Sequence, residues 1–229
     1  MDAKLILRHG ARAAKGNYMK MRCWNIWKAT KLMCNTGQRR TCLVALSAVC
    51  LFLSAWPAQS QGIVTTFAGN GNMTFSGDGV PATAAAFNHP RGLAIDSAGG
   101  VYISDTDNWR VRRVTPAGIV STVAGNGTYG ATGDFGQAIN ASFSDVTDVA
   151  LDAAGNLYIA DASNHKIRKV TPGGIVTTVA GTGVQGSSGD RGLAINATLN
   201  RPISVALDAA GNLRLRQNSP NPCRYRRAS

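Results

Sequence analysis

The chain has 229 residues, enough for one large domain or two small ones, and 44% of them are hydrophobic while 16% are charged. With 26 glycines and 8 prolines, this composition favours a globular protein of short strands and many turns, and it excludes a coiled coil or a disordered chain. The formal net charge of +12 would indicate a nucleic acid or an anionic membrane as partner, provided that the charge lies in the folded body.

The positive charge lies at the two ends of the sequence. Residues 1–60 carry ten Lys and Arg side chains against one Asp, and residues 214–229 carry five Arg and no acid. The body between them, residues 61–213, has nine basic and eleven acidic side chains, a net charge of −2. Affinity for nucleic acid comes largely from cations that neutralise phosphates, so we expect no nucleic-acid partner. All five cysteines also lie outside the body, which therefore needs no disulfide.

The N-terminal part has the layout of a secretory signal. An uncharged apolar run, residues 41–56, follows two arginines and precedes small residues at 58 and 60, so residues 33–60 are predicted to be a signal peptide cleaved before Gln61. The predicted location is secreted or periplasmic. The alternative is an uncleaved membrane anchor, although the run is shorter than the roughly 20 apolar residues that span a bilayer. Residues 1–32 form a basic leader without an assigned fold, since a start at Met33 gives the signal its usual length.

A repeat of 56 residues follows. The segment GIVTTFAG at 62–69 returns as GIVSTVAG at 118–125 and as GIVTTVAG at 174–181, and VALDAAGNL stands at both 149–157 and 205–213. Each unit contains four short runs rich in β-branched and aromatic residues, separated by Gly, Asn and Pro turns. Four strands repeated at this period indicate propeller blades, which bury their apolar faces only by stacking on neighbours.

The repeated residues resemble the NHL-repeat family over about 62–213. The resemblance is carried by the segments SGDGVPATAA (76–85), NHPRGLAID (88–96), GGVYISDTDNWRVRRVTPAG (99–118) and GNLYIADASNHKIRKVTPGG (155–174). It implies an all-β fold, a partial β-propeller of about 2.5 to 3 four-stranded blades preceded by the signal peptide or anchor. The predicted units are 62–117, 118–173 and an incomplete 174–213. Such propellers serve as protein-binding, RNA-binding and enzymatic scaffolds, so the resemblance leaves the function open.

The third unit departs from the pattern after Leu213. Where the first two units have YISD and YIAD, the third has RLRQ, followed by NSPNPCRYRRAS. We therefore expect the remaining strands of this unit to be missing and residues 214–229 to form an aberrant basic tail. A frameshift is one hypothesis, because a one-nucleotide shift in the codons for residues 221–225 permits a sequence close to that of the second unit. An open ring would leave blade edges free for self-association.

Recurring acidic residues give a first set of candidate sites. The motif Gly-Asp recurs at Asp78, Asp134 and Asp190, where repeated carboxylates are weak calcium candidates. The preferred interpretation is a turn, because an Asp side chain readily accepts hydrogen bonds from the backbone of its own loop, whereas calcium needs 6 to 8 oxygens.

A second set repeats in the strands. We interpret it as a structural network between blades, in which an arginine fork meets the carboxylate of a neighbouring unit, because catalytic groups have no reason to recur in every blade. Its members are Asp105, Asn108, Arg112, Asp161, Asn164 and Arg168.

The remaining candidates are histidines and aromatic residues. His89 and His165 occupy different repeat positions, and the chain contains no glutamate, so no catalytic residue, metal or cofactor is predicted. Three aromatic residues stand at variable repeat positions and are candidate partner contacts or fillers between blades: Trp109, Tyr129 and Phe135.

The sequence therefore favours an exported, non-catalytic binding or scaffold module that contacts a protein or glycan through propeller loops. The alternative is a metal-dependent lyase or hydrolase whose site is incomplete in these residues. An RNA-binding propeller is a third hypothesis, which the charge of the body and the export signal oppose.

Overall fold

The computed structural model describes residues 3–6, 64–218 and 225–228. These residues form almost exclusively short strands and the loops between them. The only helices in these ranges are single 3₁₀ turns, and no helix there is long and apolar enough to cross a membrane. The strands are β1 (Ala3–Ile6), β2 (Thr66–Gly71), β3 (Pro90–Ile95), β4 (Val101–Asp105), β5 (Arg110–Val114), β6 (Val120–Ala124), β7 (Val146–Leu151), β8 (Leu157–Asp161), β9 (Lys166–Val170), β10 (Val176–Ala180), β11 (Pro202–Leu207), β12 (Leu213–Gln217) and β13 (Tyr225–Ala228).

Consecutive strands pair antiparallel to form three similar sheets. The first sheet has the order β3-β4-β5-β6, the second β7-β8-β9-β10 and the third β11-β12-β13, while β1 pairs with β2 in a separate ribbon. The fourth strand of the first sheet begins at Val120, after the sequence repeat has restarted at 118. Each sheet therefore combines most of one sequence unit with the first strand of the next. We call the three sheets blade 1, blade 2 and blade 3.

Successive side chains of each second strand pack on opposite sides of the blade. In β8, Leu157 and Ile159 belong to a core shared with Val111 of blade 1, whereas Tyr158 belongs to a core shared with Leu215 of blade 3. We call the side that faces the preceding blade upstream and the other side downstream. Two of the three cores are built from two neighbouring blades, and the third combines blade 1 with β2 and the loop that follows it, so stacking supplies much of the burial. This arrangement is that of consecutive blades of a β-propeller, as predicted.

The first strands of the three blades lie next to one another. A buried threonine joins blades 1 and 2, since Thr106 Oγ1 donates to the Val146 carbonyl at 2.8 Å. Asp148 in β7 joins blades 2 and 3, because its carboxylate accepts a hydrogen bond from Val205 N at 3.0 Å. On its other side Asp148 lies so close to Gly92 of β3 that any Cβ there would collide with it. Glycine at 92 is thus required by close approach of two strands.

The outer strands are covered by the loops that precede their own blades. Gly79 N donates to the Val120 carbonyl at 2.8 Å and Val120 N donates to Val80 O at 3.0 Å, which pairs the loop with the edge of β6. Phe135, Gly136 and Val176 repeat this pairing on β10. Unpaired edge strands are where sheets associate. In blades 1 and 2 the loop occupies part of this edge, at β6 and at β10.

The prediction that the third unit loses its strands after Leu213 is wrong. Residues 213–217 form β12, which pairs with β11 along its whole length, and residues 225–228 pair with β12 in turn. The cause is alternation, because Leu213, Leu215 and Gln217 are buried on the upstream side, whereas Arg214 and Arg216 are exposed. Sequence identity to the other units ends at 213, but the period-2 pattern that specifies a strand continues.

Candidate binding face

Two buried arginines form the centre of the repeated network. Arg112 in β5 and Arg168 in β9 have side chains with 0% exposure. Arg112 Nη1 lies 3.6 Å from Asp105 Oδ2, and Arg168 Nη1 lies 3.6 Å from Asp161 Oδ2, and both carboxylates are themselves fully buried. An unpaired buried charge costs several kcal/mol, so each arginine and its aspartate depend on each other.

The buried carboxylates also hold the chain at the end of the blade. Asp105 accepts hydrogen bonds from Asn88 N at 2.7 Å and from Asn108 Nδ2 at 2.9 Å. These two bonds fix the segment entering β3 and the connection between β4 and β5. Asn108 Nδ2 also donates to the Thr74 carbonyl at 3.0 Å, which ties down the preceding loop. The equivalent residues of blade 2 are Asp161, Ser144, Asn164 and Gly130.

A second carboxylate pairs with each arginine from the loop before its blade. Arg112 Nη2 donates to Asp78 Oδ1 at 2.9 Å, and Thr122 Oγ1 of β6 donates to the same oxygen at 3.1 Å. In blade 2, Arg168 Nη2 lies 2.9 Å from Asp134 Oδ1. The loop, the third strand and the outer strand are thus joined at one carboxylate.

The Gly-Asp motifs consequently have a role that neither sequence interpretation gave them. The side chains of Asp78 and Asp134 pair with a buried arginine and with a threonine in the outer strand of the same blade, instead of accepting bonds from their own turn. Asp190 is exposed. In the part of the chain that the structure describes, no group of three or more His, Cys, Asp or Glu residues is placed to hold a metal ion.

The network lies within one repeat, which corrects the expectation that it connects neighbouring blades. Asp78, Asp105 and Arg112 all belong to the unit 62–117, because the loop of each unit folds back over its own blade. Each guanidinium packs against an aromatic ring of its own unit instead of against a second blade. The Arg112 guanidinium carbon lies 4.7 Å from the ring centre of Phe75, and that of Arg168 lies 5.2 Å from the ring centre of Phe143.

Blade 3 keeps one part of this network with a neutral side chain. Gln217 stands 56 residues after Asp161, and its Oε1 accepts a hydrogen bond from Asn200 N at 2.5 Å. The equivalent bonds in blades 1 and 2 end on an aspartate. An amide oxygen can satisfy the same backbone donor without bringing a charge into the core.

Burial changes the protonation of the network carboxylates. Burial raises the pKa of Asp161 to about 6, although hydrogen bonds from Asn164 and Ser144 and the charge of Arg168 oppose the change. Burial also raises the pKa of Asp105, against the hydrogen bonds from Asn88 and Asn108. Both shifts have the direction expected when a negatively charged carboxylate is removed from water.

Next to the residues that the buried network holds, one repeat position carries a different side chain in each of the three blades. His89, Asp145 and Arg201 each immediately precede the first strand of a blade and have positive φ values of 47°, 44° and 43°. The left-handed backbone directs each side chain to the same end of the sheets, where the second and third strands are connected. His89 Nδ1 lies 2.6 Å from Asp107 Oδ2 in that connection.

The corresponding residues of blades 2 and 3 contact one another. Asp145 Oδ2 accepts hydrogen bonds from Ser163 Oγ at 2.5 Å and from Arg201 Nη2 at 2.8 Å. Arg201 N donates to His165 Nδ1 at 3.0 Å, and burial together with the charge of Arg201 lowers the pKa of His165. Sequence reasoning missed Asp145, Ser163 and Arg201. The signal was present, because these positions differ between units whose framework residues are identical.

Two of the three candidate aromatics lie at this end as well. The rings of Trp109 and Tyr129 meet edge to face with centres 5.7 Å apart, and Tyr129 is 57% exposed. Phe135 is 83% exposed but lies at the outer edge of blade 2, where its N–H donates to Val176 O. We define the loop face as the set His89, Asp107, Trp109, Tyr129, Asp145, Ser163, His165 and Arg201.

The opposite end of the blades is a less suitable site. A depression of about 270 Å³ lies between the hairpins at 95–97 and 151–155 and contains the carboxyl groups of Asp96 and Asp152. Both are already engaged. Asp96 pairs with Arg113 at 2.7 Å, and Asp152 accepts hydrogen bonds from its own hairpin. A hydrogen bond from Arg113 lowers the pKa of Asp96, and bonds from Asn156 lower that of Asp152 against the effect of burial.

We expect Arg168→Met to reduce the free energy of unfolding by about 3–5 kcal/mol, because it leaves the Asp161 carboxylate buried and unpaired. The exposed Arg91 provides the control, and Arg91→Met should change stability by less than about 0.5 kcal/mol. Urea unfolding measures both. Adding Asp161→Asn to Arg168→Met should recover part of the loss, and additive losses would show that the two side chains do not depend on each other.

Stability should also fall as the pH rises from about 4 to above 6. The native state binds the proton of Asp161 more tightly than the unfolded chain does, so this contribution is complete below the unfolded pKa of about 3.9 and is lost as the pH passes about 6. Asp161→Asn should make this part of the profile flatter. Asp152→Asn is the control, since its lowered pKa acts only at more acidic pH. Melting temperatures from pH 3 to 8 test both, and an unchanged slope in Asp161→Asn contradicts the assignment.

Comparisons with known proteins agree with this architecture. The family model of the teneurin NHL domain matches residues 66–132, and that of the NHL repeat matches residues 143–170. NHL repeat-containing protein 2 of Bos taurus is 33% identical over 168 residues, which cover 67% of this chain and 22% of the relative. Teneurin-m of Drosophila melanogaster is 31% identical over 155 residues, or 62% of this chain and 6% of the relative.

A solved structure, a protein of unknown function from Bacteroides thetaiotaomicron, superposes with a TM-score of 0.53 and 26% identity. The superposition covers 69% of this chain and 38% of that one. The chain thus spans about a fifth of NHL repeat-containing protein 2 and a smaller part of teneurin-m. With blades that follow the 56-residue repeat and matches to both NHL models, the chain belongs to the NHL-repeat family of β-propeller proteins.

Proposed function

We propose that this chain is a non-catalytic binding module that is exported from the cytoplasm and contacts a protein or glycan partner through its loop face. The observation that carries the proposal is a difference between two sets of repeat positions. At the buried network positions, blades 1 and 2 have the same residues, Asp, Asn and Arg. At the loop-face positions, they have different ones.

The differences on the loop face are chemical. The residue before the first strand is histidine, aspartate and arginine in the three blades, and the partner of the first two is Asp107 or Ser163. If these positions served only the fold, their residues would be expected to repeat from blade to blade, as the network residues do. A surface that differs from blade to blade on a constant frame is suited to recognising an asymmetric partner.

The composition of the loop face also supports a polar partner. It combines an exposed aromatic ring with both signs of charge, since the Arg201 side chain is 46% exposed and the Asp145 side chain 30% exposed. Tyrosine and arginine are frequent among the residues that dominate binding energy. Tyr129 offers a flat apolar ring next to hydrogen-bonding groups, which suits either a sugar ring or a peptide side chain.

Export rests on residues 33–60, which lie outside the described residues. The proposal is supported by the order of charges, apolar run and small residues in that segment. Expression of the full chain in a bacterial host, followed by N-terminal sequencing of the periplasmic protein, should give Gln61 as the first residue. A protein retained at the membrane with this segment intact would contradict cleavage and favour the anchor.

The full chain should bind members of a glycan array or a displayed peptide library. Once a ligand is found, Tyr129→Ala and Arg201→Ala should each weaken it at least about tenfold, since truncating a dominant contact residue costs about 2 kcal/mol or more. Phe135→Ala is the matched control, because this ring is more exposed but lies at the outer edge of blade 2. Isothermal titration calorimetry measures all three variants.

Several results would contradict this function. Equal losses in all three variants, or a loss only in Phe135→Ala, would place the contact elsewhere on the molecule. A stoichiometric metal in the purified full chain, together with turnover of a lactone or a cyclic peptide, would favour the enzymatic alternative. Salt-dependent binding of RNA by residues 61–213 would favour the nucleic-acid alternative.

A further inference from the structure

The downstream sides of blades 1 and 2 are built to be covered by another blade. In β8, Tyr158 is 8% exposed and Ala160 is fully buried against blade 3. In β4, the equivalent residues Tyr102 and Ser104 lie on the side facing blade 2, and Ser104 is fully buried. These positions therefore hold an aromatic ring followed by a small side chain.

Blade 3 has different residues at the same two positions. Arg214 and Arg216 replace the tyrosine and the small residue, and both are exposed on the downstream side of β12. The Arg214 side chain is 54% exposed, and its Nη2 lies 3.5 Å from Asp208 Oδ2.

At the other end of the array, blade 1 presents an apolar surface. On its upstream side Leu93 is 36% exposed and Ile95 is 57% exposed. The residues equivalent to Leu93 in blades 2 and 3, Val149 and Val205, are 3% and 4% exposed because the preceding blade covers them. On the same side, Val101 and Ile103 of β4 are buried in a core with β2 and the loop that follows it. The first strand, β3, therefore leaves an apolar and partly exposed strip on the side that a preceding blade covers in blades 2 and 3.

A second copy of the chain carries both surfaces. Stacking of its blade 3 on this blade 1 would be a heterologous contact, which repeats without limit unless the ring closes. We propose that Arg214 and Arg216 block this contact, so that the downstream side of blade 3 is a charged surface that does not accept blade 1 of a second copy. Leu93 and Ile95 offer no acceptor to a guanidinium, so the contact would take both arginine charges out of water without giving them a new partner, which is unfavourable.

The blocked contact lies on the sides of the blades and is independent of the loop face. The two arginines that block it stand where the third unit departs from the repeat. Exposed charge is a common way to prevent association of sheets. Here two substitutions on one strand are sufficient, because the opposite side of β12 keeps its leucines.

The test restores to blade 3 the residues of blade 2. The full chain carrying Arg214→Tyr and Arg216→Ala should associate, with a mass in sedimentation velocity that rises with concentration by about twofold or more. The full chain carrying Arg214→Lys and Arg216→Lys is the matched control and should keep the mass of the unaltered chain. Adding Leu93→Arg to the Tyr/Ala variant should abolish its association, because it places a charge on the receiving side.

Thermal unfolding of each variant establishes that it is folded, and Arg216→Ala alone replaces the double variant if the latter does not fold. The proposal is overturned if the folded Tyr/Ala variant, or Arg216→Ala in its place, keeps the mass of the unaltered chain. It is also overturned if the Lys control associates to the same extent. Association of the unaltered chain that Leu93→Arg disperses would likewise show that the arginines do not block the contact.

Discussion

The burial of one guanidinium in each of the first two blades is the constraint on which the rest of the structure depends. Arg112 and Arg168 are removed from water completely, and such a charge is tolerated only when carboxylates and hydrogen bonds replace the lost hydration. One carboxylate comes from the end of the second strand and the other from the loop before the blade. The arginine therefore determines where that loop lies, and the loop in turn covers the outer strand. A single buried ion group thus closes the edge of the sheet.

This frame separates stability from recognition. The network residues repeat in blades 1 and 2 because each of these blades buries a charged arginine that has to be compensated. The loop-face side chains extend from backbone whose position the network hydrogen bonds determine. Asp105 holds Asn88 N, and the next residue, His89, is the first of the loop face. Asp161 holds Ser144 N in the same way, next to Asp145. Changing the loop-face residue leaves the hydrogen bond intact, so chemical variety at the surface costs the core little.

The sequence was sufficient to predict the architecture because the signal repeats. The 56-residue period, the four strand patterns and the turns of each unit were all readable, and the blades match them. What could not be predicted were contacts that depend on how a loop folds back. Asp78 follows a glycine in a polar loop, a pattern that suits calcium, a turn or an ion pair, and only the position of Arg112 in space decides between them. The loop face was missed for a related reason, since Asp145 and Arg201 are 56 residues apart and meet only because blades 2 and 3 stack.

Blade 3 shows how much of the repeat a strand actually requires. From 214 to 218 every residue differs from the second unit, yet the upstream side still alternates leucine, leucine and a hydrogen-bonding side chain. Gln217 preserves the bond to the Asn200 backbone while it removes the charge. The three residues on the upstream side thus specify the strand, and the two residues between them, on the downstream side, are not required for it. Arginine occupies those two positions. As on the loop face, residues that the fold does not require can vary, and in the last described blade they place charge on the downstream side.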